Sequence, residues 1–315
     1  MIENLDADRL LAGPLGQWLE STKDQRAAAA KKSNMRFLMM AVVFIPLVVW
    51  NVSDGIAGMN FFGMFITMIA LFGTAAWAIW PRHKATQEVK QGINEAIAGA
   101  IGITYCMSDS ADPEYRQLLL HKMLPSHNRQ RFEDFWQGEV AGHHFKLFEA
   151  HLEHHSTDSK GRSSTVTKFR GPFMTVGCGT KFTGTTILHR AGAKKRFGFF
   201  GGKSDSIEAA GKQLDAVDMV HPEFEDAFDV YSTDQVEARA IVHPSYVERL
   251  IAIENAFRGA RLQALFADGT ITLMLSAKNM FESGSLDASK DRAKLEETLR
   301  QFRSLAELAI ELNRR

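Results

Sequence analysis

The chain has 315 residues, with 37 basic and 37 acidic side chains and a formal net charge of zero. It therefore lacks the cationic excess that marks a nucleic-acid partner. Its two cysteines, Cys106 and Cys178, stand far apart, make no metal motif, and read as free thiols of a reducing cytoplasm.

Residues 1–34 read as a cytoplasmic helical segment with a loose apolar face of Leu10, Leu11, Leu15, Trp18 and Leu19, interrupted at Gly13-Pro14. The stretch 26–32, RAAAAKK, has high helix propensity. The segment suits either the membrane surface or packing against the chain's own domain. Two apolar runs follow, residues 37–52 and 56–80, and neither contains Asp, Glu, Lys, Arg or His. A bilayer core about 30 Å thick needs roughly 17–25 such residues per helix, so the pair predicts a transmembrane hairpin. A buried core hairpin fits the length and the lack of charge less well. A cleaved signal peptide is not expected, because some 36 polar or mixed residues come first and a second run follows at once. Lys23, Arg26, Lys31, Lys32 and Arg36 precede the first run, and Arg82, Lys84 and Lys90 follow the second. The connection around Asn51 and Gly55 has no Lys or Arg, so both termini are expected in the cytoplasm. Trp50 and Trp80 stand where an interfacial aromatic belt would place them, and Pro46 can kink the first span.

After Pro81 a helical pattern continues to about Gly102, with Val89, Ile93, Ile97 and Ile101 on one face. Gly92, Ala96 and Ala100 recur every fourth residue beside it, and Ala70, Thr74 and Ala78 repeat the pattern inside the second span. Small residues at this spacing let helices approach closely, either within the chain or between copies.

Beyond Cys106 the chain reads as a soluble domain. A short helix opens at Pro113-Glu114-Tyr115 and closes at Pro125. Residues 145–152, 164–178, 182–189, 214–220 and 227–232 read as strands, and 192–212 as a loop. A helix is predicted over 244–257. The runs 262–267 and 270–277 flank Asp268-Gly269, a strong hairpin signal. A C-terminal helix over about 289–312 carries Leu295, Leu299, Phe302, Leu305, Ala306 and Ala309 as its buried stripe. Strands in a row, a helix, a hairpin and a closing helix argue for an α+β domain with an antiparallel sheet.

Three kinds of chemistry are weighed. His143, His144, His151, His154 and His155 fall close together, and strand alternation puts His151, Glu153 and His155 on one face as a candidate metal set. A polar strand end is the plainer reading. The stretch 198–204 ends like a P-loop but has Phe197 where the motif requires Gly, and no strand-loop-helix context surrounds it. Its basic and aromatic residues, Lys194, Lys195, Arg196, Phe199, Phe200 and Lys203, suit contact with anionic lipid or with a partner. No G-x-S-x-G nucleophile signature occurs, so no catalytic residue is assigned.

Several phrases then carry a resemblance: GHHFKLFEAHL at 142–152, FRGPF at 169–173, FTGTT at 182–186, PEFE at 222–225 and FDVYSTDQVEARA at 228–240, with Pro244 and MFE at 280–282. In these the chain resembles the bacterial membrane-protein family known as domain-of-unknown-function family 3137, over roughly residues 35–310. The N-terminal hairpin is similar to that family's arrangement. The family offers no catalytic residues and no histidine cluster, which weighs against the metal reading. Physically, Asp234 reads as a helix cap, Arg239 as pairing with an acidic neighbour, and Phe224 with Phe228 as anchors of one helix turn.

The expected architecture is a membrane protein with an N-terminal two-helix transmembrane hairpin and a cytoplasmic α+β domain with an antiparallel sheet and a C-terminal helix. The segments are 1–34, the hairpin 35–82 with spans near 37–53 and 57–80, a helical stalk 83–105, and the domain 106–315. The expected function is an uncharacterised module of the bacterial inner membrane for protein interaction or membrane-surface sensing. No cofactor is expected. The expected partners are the lipid bilayer and another protein or a second copy. The alternatives are an enzyme centred on the histidine strand and a subunit of an oligomeric assembly.

Overall fold

The computed structural model describes residues 5–54, 61–179, 182–191, 205–219, 227–242, 244–257 and 261–311. The chain divides into two compact units. One holds Asp6–Ala96 and Glu282–Glu297; the other holds Met1–Leu5, Ile97–Phe281 and Thr298–Arg315.

The first unit is helical. Short helices α1 (Ala7–Ala12) and α2 (Pro14–Ser21) are separated at Gly13, whose extended backbone ends one and leaves Pro14 to open the next. Helix α3 covers Lys23–Asp54, and α4 covers Phe61–Ile101, whose last turn belongs to the other unit. Pro46 and Pro81 lie inside these helices without ending them. Both are long and apolar enough to cross a membrane. Their apolar side chains point outward: Leu38 is 67% exposed, Val42 68% and Phe72 68%. Apolar area on that scale marks a surface that something covers. The two helices pair side by side. Ser33 donates to the Ala78 carbonyl at 2.7 Å, Arg36 to the Trp77 carbonyl at 2.6 Å, and Arg82 to the Asn34 side chain. Where the sequence reading sets boundaries, near residues 34 and 82, helices α3 and α4 run on unbroken.

The second unit is built on one antiparallel sheet, ten-stranded among the described residues. In chain order it comprises β1 (Thr104–Cys106), β2 (Arg129–Val140), β3 (His143–Thr157), β4 (Ser163–Gly177) and β5 (Thr186–Arg190). The others are β6 (Ser206–Ala209), β7 (Lys212–Ala216), β8 (Phe228–Ser232), β9 (Arg261–Ala267) and β10 (Thr270–Ser276). The spatial order is β1-β2-β3-β4-β10-β9-β5-β8-β7-β6. Helices α5 (Asp112–Leu120), α6 (Gln235–Ile241), α7 (Pro244–Ala256) and α8 (Asp291–Glu311) complete the chain, and α8 passes from the helical unit into this one.

The middle of the sheet is buried on both faces. On one, Phe135, Phe148, Phe173, Leu152, Ile187 and Leu265 pack with Tyr115 and Leu118 from the segment of α5. On the other, Phe302 of α8 lies against Trp136 and Phe145, with ring centroids 4.9 and 6.0 Å apart, and Phe281 meets Trp136 at 5.3 Å. Residues 145–150 are accordingly all buried, so β3 cannot show the alternation of a half-exposed strand.

Several local expectations change. Strand β2 extends back to Arg129, well before the extended pattern is legible, because a bulge breaks its period. Glu133 pairs with Glu149 and Trp136 with Leu147, so Asp134 and Phe135 together oppose Phe148. Asp134 takes a positive φ of 59° and accepts a 2.6 Å bond from the buried Tyr105 hydroxyl, while Phe135 stacks on Phe148. The predicted loop 192–212 contains β6, which pairs with β7. Phe228 opens a strand instead of anchoring a helix turn, and Phe224 lies outside the described residues. The Asp268-Gly269 hairpin forms as expected between β9 and β10.

Candidate functional site

The polar chemistry of the helical unit gathers where α3 and α4 leave their apolar stretches. The pairing of Ser33 with Ala78 and of Asn34 with Arg82 brings the basic residues around Lys32 and Arg36 level with Arg82 and Lys84. Arg36 sets its guanidinium 4.0 Å from the centre of the Trp77 ring and donates to a carbonyl, so no carboxylate neutralises it among the described residues. Lys32 makes no ion pair among them either. Lys84 stands 3.8 Å from Glu88, an exposed pair of little strength.

A cavity of ≈ 800 Å³ opens between these helices, lined by Trp18, Arg26, Lys32, Trp80, Lys84 and Glu88 among others. Its floor is fixed from below. Arg26, 2% exposed, forks onto Asp291 with bonds of 2.7 and 2.9 Å and gives a third to the Leu19 carbonyl at 2.8 Å. On α4, Lys90 pairs with Glu282 at 2.9 Å, and the Ser283 hydroxyl donates to the buried Asn94 side chain at 2.8 Å. Segment 282–297 is thus held to both long helices by charge and hydrogen bonds. Sequence reasoning missed this because Arg26 and Asp291 lie 265 positions apart.

The small-residue ladder does not act as one surface. A side chain at Gly92 would run into the Trp18 ring, so this glycine seats α2 on α4. Ala78 is fully buried, and its carbonyl takes the Ser33 bond from α3. Thr74 bonds back to the Ala70 carbonyl of its own helix at 2.7 Å. Ala70 and Ala100 are exposed, and Ala96 is half-buried.

The histidines lie along β3 and its pairing with β4. A register shift after Leu152 leaves Lys168 extra on β4. His151 Nε2 then sits 3.0 Å from Thr167 Oγ1 and 3.5 Å from Glu153 Oε1, while His155 Nδ1 meets Thr165 Oγ1 at 2.9 Å. One ring nitrogen each of His151 and His155 is engaged across the strands, with different threonines. Among the described residues no three His, Cys, Asp or Glu side chains come together as a metal-holding group. His143 and His144 pair with Val140 and Glu139 at the other end of the hairpin.

Two of the phrases behind the family resemblance meet in space. Asp234 caps α6, accepting from the amides of Val236 and Glu237 at 2.9 and 3.0 Å. Glu237 then spends both carboxylate oxygens on backbone amides of the 182–186 phrase, Thr183 at 2.9 Å and Gly184 at 2.7 Å. Thr185 donates to the Thr233 hydroxyl at 2.9 Å, and Thr186 and Ser232 share a hydroxyl contact at 2.9 Å. Among the described residues Arg239 donates to the Asp218 carbonyl and the Gln235 side chain. Asp234 and Glu237 in this clamp both serve backbone amides. Burial pushes the Cys106 thiol up, as does the nearby Asp109 charge, the wrong direction for a nucleophile. The residues Lys194, Lys195, Arg196, Phe199, Phe200 and Lys203 lie outside the described residues, as does the stretch that ends like a P-loop.

The model of the family described as "Protein of unknown function (DUF3137)" matches residues 167–314, and over that stretch the chain resembles the family. The phrases at 142–152 and the helical hairpin fall outside the match. No curated protein matches the chain. Among solved structures, the crystal structure of the mycobacterial trehalose monomycolate transport factor A, TtfA, aligns at 12% identity over 73% of this chain and 97% of that one, with a TM-score of 0.36. A likeness at that score carries no argument about function.

Proposed function

We propose that the chain is a bacterial inner-membrane protein in which α3 and α4 form a transmembrane hairpin with both termini in the cytoplasm. In this reading the sheet unit is a module for protein interaction or membrane-surface sensing. The observation that carries it is the meeting of two basic flanks at one end of a paired, outward-facing apolar helix hairpin. Lys and Arg next to span ends favour the cytoplasmic side. The apolar runs hold no ionisable residue, which suits an anchor better than an ion or proton path. Lipid and a second protein or second copy are the proposed partners. The basic, aromatic stretch 194–203 is the proposed contact, and reversing its charges is expected to weaken liposome or partner binding.

The topology is tested with single cysteines in a variant lacking Cys106 and Cys178. A cysteine at Asp54 is expected to react with a membrane-impermeant maleimide in intact spheroplasts, and one at Ser289 only after lysis. The reverse pattern, or release of the protein by alkaline carbonate, overturns the hairpin reading.

A further inference from the structure

We infer that the cavity between α3 and α4 binds the phosphate headgroup of an anionic phospholipid, an assignment that rests on the hairpin reading above. The position of the cavity is the first argument. Lys84 follows Trp80 by four residues and Lys32 precedes Phe37 by five. At 1.5 Å per residue both cations stand about 6–8 Å beyond the ends of the apolar runs. The headgroup layer outside a 30 Å core has about that depth, roughly 5–8 Å on each side.

The charge balance is the second argument. Arg26 is already committed to Asp291, so it shapes the floor without attracting a ligand. Lys32 and Arg36 have no carboxylate partner among the described residues, and Lys84 has only a long contact to Glu88. Cations from two helices therefore converge on one space with positive charge left over. A phosphodiester is the bilayer group that supplies the missing negative charge and several acceptor oxygens. The lining is the third argument. Trp18 and Trp80 give the cavity apolar walls, and Trp80 is 63% exposed at the edge where a glycerol backbone and the first acyl carbons would pass. A volume of ≈ 800 Å³ holds a headgroup with that much of its lipid. Aromatic rings flanking a basic recess suit the boundary between headgroups and chains.

The test uses the full chain in nanodiscs of phosphatidylcholine containing a minor fraction of phosphatidylglycerol, with bromine on the acyl chains of one lipid at a time. Quenching of tryptophan fluorescence, referenced to a Trp80→Phe variant, reports which lipid sits beside Trp80. Brominated phosphatidylglycerol is expected to quench Trp80 well beyond its share of the mixture. The Lys32→Gln, Lys84→Gln double variant is expected to weaken that preference by about tenfold, while brominated phosphatidylcholine still quenches the spans. Quenching in proportion to composition, or a preference unchanged in the double variant, overturns the headgroup site and leaves the hairpin standing. Loss of the preference on adding millimolar glycerol phosphate assigns the cavity to a soluble phosphate ester and overturns the lipid assignment. Absence of quenching by either brominated lipid overturns the hairpin and the headgroup site together.

Discussion

Gly171 shows how a short phrase can be fixed by packing alone. It sits in β4 with φ +142°, and a side chain there would collide with the Leu275 carbonyl oxygen and the Ala277 amide nitrogen. Phe169 and Phe173 on either side are buried in the core cluster, and the Arg170 carbonyl accepts the Ala277 amide at 2.9 Å. Gly171→Ala must therefore strain the backbone or push β10 away, at a cost of about 2 kcal/mol or more. Chemical denaturation followed by far-UV circular dichroism checks this, and an unchanged midpoint contradicts it. The FRG phrase was legible as a pattern, but its reason was not. That reason is a carbonyl from a strand a hundred residues away. Asp234 is the opposite case, because a cap is decided by residues two and three positions on, and the sequence shows both. Glu237 falls between the two: its place on the helix can be read, while its two amide partners come from the 182–186 phrase and only the fold supplies them.

At the scale of elements, the β3–β4 hairpin ends in a turn that depends on one carboxylate. Asp158 accepts from the Arg162 amide and the Arg162 side chain, and also from the Lys160 amide. These bonds hold its carboxyl below the usual carboxylate range, with Arg162 the leading cause. A depressed folded pKa means that the contribution is present above the ordinary carboxyl pKa, near 4, and is lost as pH falls through the lower folded value. The protection of the Lys160 and Arg162 amides, measured as exchange relative to the intrinsic rate at each pH, is expected to fall in acid over that window, and Asp158→Asn is expected to flatten the dependence. Protection that does not change with pH in the unaltered protein counts against it. The rest of the element reading divides along the same physical line. The β9–β10 hairpin is announced by its turn and needs no distant partner. Strand β2 is hidden because the bulge at Asp134 and Phe135 shifts its alternation halfway, whereas β3 is read in part, over 145–152, from its composition although burial on both faces erases a period of two. Strand β6 is only four residues long, too short for a pattern to rise above the surrounding polar sequence, while β7 overlaps the strand read over 214–220.

At the scale of the whole chain, the C-terminal region does not stay with the sheet. After Phe281 the chain gives residues 282–297 to the helical unit and then returns at Thr298. Arg26 and Asp291 are buried together there, 2% and 8% exposed at the side chain. Two charges taken out of water leave little net gain when paired, but either one left alone is costly. Arg26→Met strands the Asp291 carboxylate and is expected to destabilise the helical unit by about 3–5 kcal/mol. The double variant Arg26→Met, Asp291→Leu removes the stranded charge and is expected to recover most of that loss. Thermal unfolding in detergent, read at Trp18 against a Trp18→Phe control, separates the cases, since Trp18 lines the same cavity as Arg26. If the single variant unfolds like the unaltered protein, the pair does not hold 282–297 to the helices. If the double variant is no better than the single one, the guanidinium matters for its bonds to the Leu19 and Ser285 carbonyls instead of for its charge. In the expected case, a residue near one end of the chain and one near the other set the stability of the unit proposed to meet the membrane.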